Sequence, residues 1–197
     1  MYTPSHFQMD DAAALALVQD RPFATLVSLG DGGLLSTPLP MLLDRDAADG
    51  PRLVGHIARA NPHWRQFDPA VPSLAIFQGG DGYVSPNWYP SKAAHHKVVP
   101  TWNYRAVHVH GRLSVVETPE TLLDIVRRLT DRFETEQPVP WHVSDAPADY
   151  IAANLRGIVG LALTIDRVEG KAKLSQNRDE ADRAGVRAGL AGVLEVP

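Results

Sequence analysis

The stretch from Phe23 to Leu43 constrains the fold most. FATLVSL (23 to 29) and LLSTPLPMLL (34 to 43) are rich in strand formers, and Gly30-Asp31-Gly32-Gly33 between them is a strong turn signal. Two strands joined by so short a turn must run antiparallel, because a parallel pair needs a crossover of about a dozen residues or more. Pro38 and Pro40 lie two apart and so withhold their missing donors on the same side, which suits an edge or bulged strand rather than a central one.

The rest of the chain repeats the theme. RLVGHIA (52 to 58), PSLAIFQG (72 to 79), a long run from Asn103 to Val116, and GIVGLALTIDRVEG (157 to 170) all read as strands. Gly79-Gly80-Asp81-Gly82 reads as a turn into Tyr83-Val84-Ser85, and Asp44 to Pro51 as a polar connection. In the long run Val107, Val109, Leu113 and Val115 stand opposite His108 and His110, with a kink expected at Gly111. Helices are expected over residues 7 to 20, 148 to 155 and 179 to 190, with a short one from Pro62 to about Phe67. A further helix opens at the Thr118 cap with Pro119 in its first position, and carries Leu122, Leu123, Val126, Leu129 and Phe133 at helical spacing. Many hairpin strands without regular strand–helix alternation imply a mainly β chain with peripheral helices (α+β), built as a small antiparallel barrel in one domain over residues 1–197.

Composition enters through what it excludes. The absence of cysteine removes disulfides, thiolate nucleophiles and thiolate metal sites together. A formal charge of -4 gives no global attraction for nucleic acid. No apolar run is long enough for a membrane span and no basic-then-apolar leader opens the chain, so a cytoplasmic location is the expectation. There is no G-x-S-x-G turn, no phosphate loop and no GxGxxG fingerprint, which leaves hydrolase, kinase and Rossmann dehydrogenase readings unsupported.

Ser85 to Gly111 concentrates Trp88, Tyr89, Trp102 and Tyr104 with His95, His96, His108 and His110, a mixture that points to a bound ligand. His108 and His110 project to one face of a strand, as metal ligands do, but no acidic residue stands at ligand spacing and no HExxH pattern exists, so no metal is expected. The residues fit a planar, phosphorylated ligand better. Arg59, Asn61 and His63 at a helix start suit a phosphate, Trp64, Trp102 and Tyr104 offer flat apolar surface, and Lys173, Ser175, Gln176 and Arg178 offer polar contacts. Flavin mononucleotide has these needs.

MYTPSHF at the start, GHIARANPHW (55 to 64), YVSPNWY (83 to 89), VPTWNYRAVHVHG (99 to 111) and KLSQNR (173 to 178) resemble the FMN-binding negative transcriptional regulators, the PaiB-like family. The motifs run from end to end in family order. The resemblance implies a split β-barrel of the pyridoxamine-phosphate-oxidase type with Greek-key strands, a homodimer, and FMN at the subunit interface. It assigns cofactor-binding roles to His56, Ala58, Arg59, Asn61 and Trp64, to Thr101, Trp102, Asn103 and Tyr104, and to Lys173, Ser175 and Gln176. Where the family's loop resembles SKxxxGK, this chain reads Ser91-Lys92-Ala93-Ala94-His95-His96-Lys97, which puts the loop's conformation in question. Two functions follow: a flavin-binding regulator, or an FMN-dependent oxidoreductase acting on a small molecule with a nicotinamide or other reductant. A haem-handling split barrel is the third alternative. Direct DNA binding lacks support, because the helices at 119 to 133 and 179 to 190 are not joined as a helix-turn-helix. Catalytic residues are not assigned by the sequence.

Overall fold

The computed structural model describes residues 1–45, 47 and 50–196; Asp46, Ala48 and Asp49 of the expected polar connection lie outside the described residues. Seven strands form one sheet: β1 (Phe23–Gly30), β2 (Gly33–Pro40), β3 (Leu42–Asp44), β4 (Arg52–Ala58), β5 (Ser73–Val84), β6 (Thr101–Val116) and β7 (Ile158–Lys173). Their order is β2-β1-β5-β6-β7-β4-β3, and β1/β2, β3/β4 and β4/β7 pair antiparallel. Around them stand α1 (Asp11–Asp20), α2 (His63–Gln66), α3 (Ser91–His95), α4 (Pro119–Glu134), α5 (Ala148–Arg156) and α6 (Glu180–Gly189). The fold class is a mainly antiparallel split β-barrel with peripheral helices.

Contacts divide the chain into two compact units. One comprises Met1–Leu17, Phe77–His108 and the chain from Val168 onward; the other comprises Val18–Ile76 and Val109–Arg167. The second unit holds β1 to β4, part of each of β5, β6 and β7, and helices α2, α4 and α5. In it, α4 buries Leu122, Ile125 and Leu129, and Ile125 and Leu129 pack with Val54 and Ala162. Each such side chain contributes about 1.5–3 kcal/mol. Ile125 replaces the expected Phe133, which is 44% exposed. The first unit has its own core, in which Val84, Tyr89, Leu174, Val186 and Leu190 pack with Trp88 alongside.

Three expectations are corrected. The predicted strand 34 to 43 is two strands, because Pro40 and Pro22 have no donors and the β1/β2 ladder ends with the Met41 N–H donating to the in-register Pro22 carbonyl at 2.8 Å. The chain thereby passes from β1's edge to β4's edge at one buried residue. Gly79 to Gly82 does not turn but continues β5. Its glycines serve close approach: a Cβ on Gly79 would stand 2.8 Å from that of Arg105, and one on Gly82 2.5 Å from Leu190. Gly111 does not shift the β6 pattern either, since Val107, Val109, Gly111 and Leu113 are all buried in phase. It is glycine because a Cβ would lie 1.9 Å from the Thr164 carbonyl oxygen on β7.

Candidate functional site

The predicted site residues fall into two sets, one in each compact unit. The first begins on β4, where His56 stands opposite Gly160 and Ala58 opposite Ile158. Burial holds the His56 imidazole below its ordinary pKa, and its Nδ1 is buried with no hydrogen-bond partner among the described residues. Past β4 the chain folds back through Arg59-Ala60-Asn61-Pro62 into the single turn of α2. Asn61 organises that turn: its Oδ1 accepts from the His63 N–H at 3.0 Å and its Nδ2 donates to Thr37 Oγ1 at 3.2 Å. The amide expected to be open for phosphate is therefore taken by a side chain. Trp64 closes the turn, with Nε1 donating to the Arg59 carbonyl at 3.0 Å and the Arg65 guanidinium 4.2 Å from its ring centre. Arg59 itself donates to the carbonyls of Arg156 and Ile158 and to Glu117, at 2.9, 3.1 and 2.9 Å.

Beneath this turn lies a buried polar chain that sequence reasoning missed. His63 is 2% exposed, and its Nδ1 meets Thr37 Oγ1 at 2.9 Å while its Nε2 meets Ser28 Oγ at 2.9 Å. Ser28 Oγ in turn meets Ser73 Oγ at 2.7 Å. Burial lowers the His63 pKa and so favours the neutral ring, which offers one donor and one acceptor to the two hydroxyls. Four segments distant in sequence supply this chain, and no local pattern announces it.

The second set centres on the start of β6 and the end of β7. Lys173 Nζ donates to Thr101 Oγ1 and to the Trp102 carbonyl. Burial first, then the charges of Lys171 and Arg178, lower its pKa. Asn103 is fully buried and its Nδ2 donates to Ser175 Oγ at 3.0 Å. Ser175 adopts a left-handed backbone, φ 63°, at a position that is not glycine. Such strain persists only where surroundings impose it, and it clusters at ligand sites. Gln176 spends its amide on its own turn, accepting from the Leu174 N–H and donating to the Ala172 carbonyl.

The alternation of β6 divides this set by face. Thr101 and Asn103 line a cavity of about 190 Å³ together with Lys173, Ser175, Tyr89 and Arg178. Trp102, Tyr104, Ala106 and His108 line another of about 370 Å³ with Gln78 and Arg105. Thr101 to Tyr104 thus do not converge on one point. Trp102 is 54% exposed and meets the Tyr83 ring edge-on at 6.0 Å. His108 has an acidic neighbour that spacing did not reveal, since a ligand atom of Glu169 lies within 4.8 Å of its imidazole. A larger cavity, about 470 Å³ between Met41, Leu42 and Arg128, contains none of the predicted residues.

In the loop before β6, His96, where the resemblance leads to the expectation of glycine, has a left-handed conformation, φ 56° and ψ 8°. Its N–H caps α3 through the Lys92 carbonyl at 3.0 Å, a conformation that helix ends commonly give to glycine.

Residues 1–167 match the sequence model of a family described as a putative FMN-binding domain. The chain belongs to that family. FMN is accordingly its cofactor, and the chain is a PaiB-like flavin-binding protein. A curated relative, "Protease synthase and sporulation protein PAI 2" of Bacillus subtilis, is 33% identical over 189 residues, covering 94% of this chain and 87% of the relative. Among solved structures, the flavocytochrome Anf3 from Azotobacter vinelandii matches at TM-score 0.60 and 18% identity, over 89% of this chain and 73% of that one. The FAD and haem binding protein from Mycobacterium smegmatis matches at TM-score 0.58 and 19% identity, over 90% and 77%. Those two likenesses establish the fold. No described helix is long and apolar enough to cross a membrane.

Proposed function

We propose that this protein is a cytoplasmic, homodimeric FMN-binding regulator of the PaiB-like type, and that the twelve residues of the two sets hold the cofactor. The observation that carries the reading is the second set: strained Ser175, locked by buried Asn103, with the cation of Lys173 on one face of β6, and the flat surfaces of Trp102 and Tyr104 on the other. These are the contacts a planar, anionic ligand requires. In the first set, His56 has a buried ring nitrogen with no partner among the described residues. Arg59 meets the phosphate by releasing Glu117, an exposed pair whose loss costs little. A homodimer is supported by the exposed Tyr83 and Trp102 rings, which form an apolar patch suited to a second copy. Regulation acts through the flavin or a partner rather than by direct DNA contact: Arg183 and Arg187 on α6 both bond Glu180, which offsets their charge.

A second reading, an FMN-dependent oxidoreductase, is favoured by the two cavities on either face of β6. FMN when bound supplies hydride or electron transfer, and the protein supplies orientation and access. Here Lys173 would place a positive charge, and its lowered pKa makes it a proton donor nearer neutrality.

Fluorescence titration of the apoprotein with FMN tests the site. Arg59→Gln and Lys173→Gln are each expected to raise the Kd about tenfold, the loss of one charge-assisted contact. Unchanged affinity in both variants contradicts the assignment. Light scattering of the FMN-loaded protein is expected to give a dimer. Anaerobic mixing with NADH or NADPH decides between the readings, since bleaching of the flavin band favours the enzyme and its persistence the regulator.

A further inference from the structure

We propose that the cavity of about 190 Å³ between Tyr89, Lys173 and Arg178 binds the carboxylate of a small organic acid, the substrate or effector of this flavoprotein. The inference rests on the FMN reading above and goes beyond it by naming the class of second ligand. Three observations converge.

First, the charge is one-sided. Lys173 and Arg178 line the cavity, no carboxylate does, and neither cation has an ion-pair partner among the described residues. Lys171 stands close enough to act on Lys173 as well, and its own Nζ donates to the Tyr2 carbonyl and lies near the Tyr2 and Tyr104 rings. Clustered cations without acid are a standing repulsion that an anion relieves.

Second, a buried polar atom is left over. Tyr89 is 2% exposed and lines the cavity, yet its hydroxyl has no hydrogen-bond partner among the described residues. An unmade bond at a buried hydroxyl costs about 1–3 kcal/mol, so it marks a site rather than a packing accident. The Arg178 guanidinium lies 4.8 Å from the centre of the same ring, which holds a planar, charged fork against that side chain.

Third, the shape selects the ligand. A cavity of about 190 Å³ accommodates a compact acid. Phe7, Val99 and Pro100 supply an apolar wall, so the ligand carries a short apolar body behind its carboxylate. The flat residues proposed for the flavin ring, Trp102 and Tyr104, face the other cavity. Thr101, Asn103, Lys173 and Ser175 belong also to the proposed flavin set, so the acid would contact side chains that the cofactor contacts too.

The test is isothermal titration of butyrate and benzoate into the FMN-loaded protein, with butyramide as the uncharged control. Both acids are expected to bind and butyramide not. Arg178→Gln is expected to weaken butyrate about tenfold, and Tyr89→Phe by about threefold to tenfold, as one charged and one neutral contact are lost. Tyr89→Phe removes only an oxygen that the protein does not use, so the folded state survives it. Flavin content is read in parallel from absorbance. Absence of butyrate binding, equal binding of butyramide, or binding indifferent to both variants overturns the proposal. So does displacement of FMN by butyrate, which would make the cavity the cofactor's own. Butyrate binding that depends on Arg178 in a protein that takes no FMN keeps the acid site and refutes the flavin reading.

Discussion

Removing the Ser28 hydroxyl tests the buried chain beneath the Arg59–Trp64 turn. Ser28→Ala deletes the 2.9 Å contact to His63 Nε2 and the 2.7 Å contact to Ser73 Oγ, between residues that are 2%, 2% and 1% exposed. Water does not reach these atoms, so each loses a bond without replacement, at about 1–3 kcal/mol apiece. A total of about 2–6 kcal/mol is a large share of the 5–15 kcal/mol by which a typical domain is stable. In urea, with a slope of about 2 kcal/mol/M, the midpoint is expected to fall by about 1–3 M with the slope unchanged. Thr37→Val removes the contact on the other ring nitrogen and the acceptor of Asn61. Because both changes act on one imidazole, the double variant is expected to lose at least about 1 kcal/mol less than the sum. A Ser28→Ala midpoint within about 0.2 M of the parent, or strict additivity with Thr37→Val, would refute the network as a stabilising unit.

The remaining predictions concern single positions and pH. His96→Gly relieves a side chain in the left-handed region and is expected to raise stability by about 0.5–1 kcal/mol, read as a higher urea midpoint; a drop would show that His96 makes contacts outweighing its strain. Gly111→Ala drives a methyl into the Thr164 carbonyl and is expected to cost about 3 kcal/mol or more, with near-parental behaviour contradicting the β6–β7 approach. His56, His63 and His110 have pKa values lowered by burial from 6.5, so the unfolded chain takes up protons that the native state refuses. Stability is therefore full above 6.5 and falls as pH drops through it towards the folded values, and a Tm that stays flat from about pH 7.5 to about pH 5.5 would contradict this.

Much of the fold is legible because strands carry their own signal. The β1 and β4 runs and the start of α4 follow from residue type, turn glycines and Pro119. The misreadings share a physical origin: a glycine that lets another element approach has the same letter as one that turns the chain. Gly79, Gly82 and Gly111 belong to the first kind, and only the partners Arg105, Leu190 and Thr164 reveal it. The break at Met41 was written in Pro40 but needed the register that pairs Met41 with donorless Pro22 to be seen. At the site, motifs gathered Thr101 to Tyr104 into one wall, whereas strand alternation sends them to two faces. Tyr89 was visible within its motif, but its unspent hydroxyl beside Arg178 emerges only when segments nearly 90 residues apart meet. His96 is the reverse case, where the sequence put the loop's conformation in question and the structure shows a left-handed backbone at that position.

The central claim is that this chain holds FMN, and denaturing mass spectrometry of the freshly purified protein tests it most directly. The account predicts a yellow preparation that releases a small molecule of FMN's mass, or a colourless one that quenches added FMN fluorescence to stoichiometric saturation. A colourless protein that releases no flavin and takes up none on titration would contradict it.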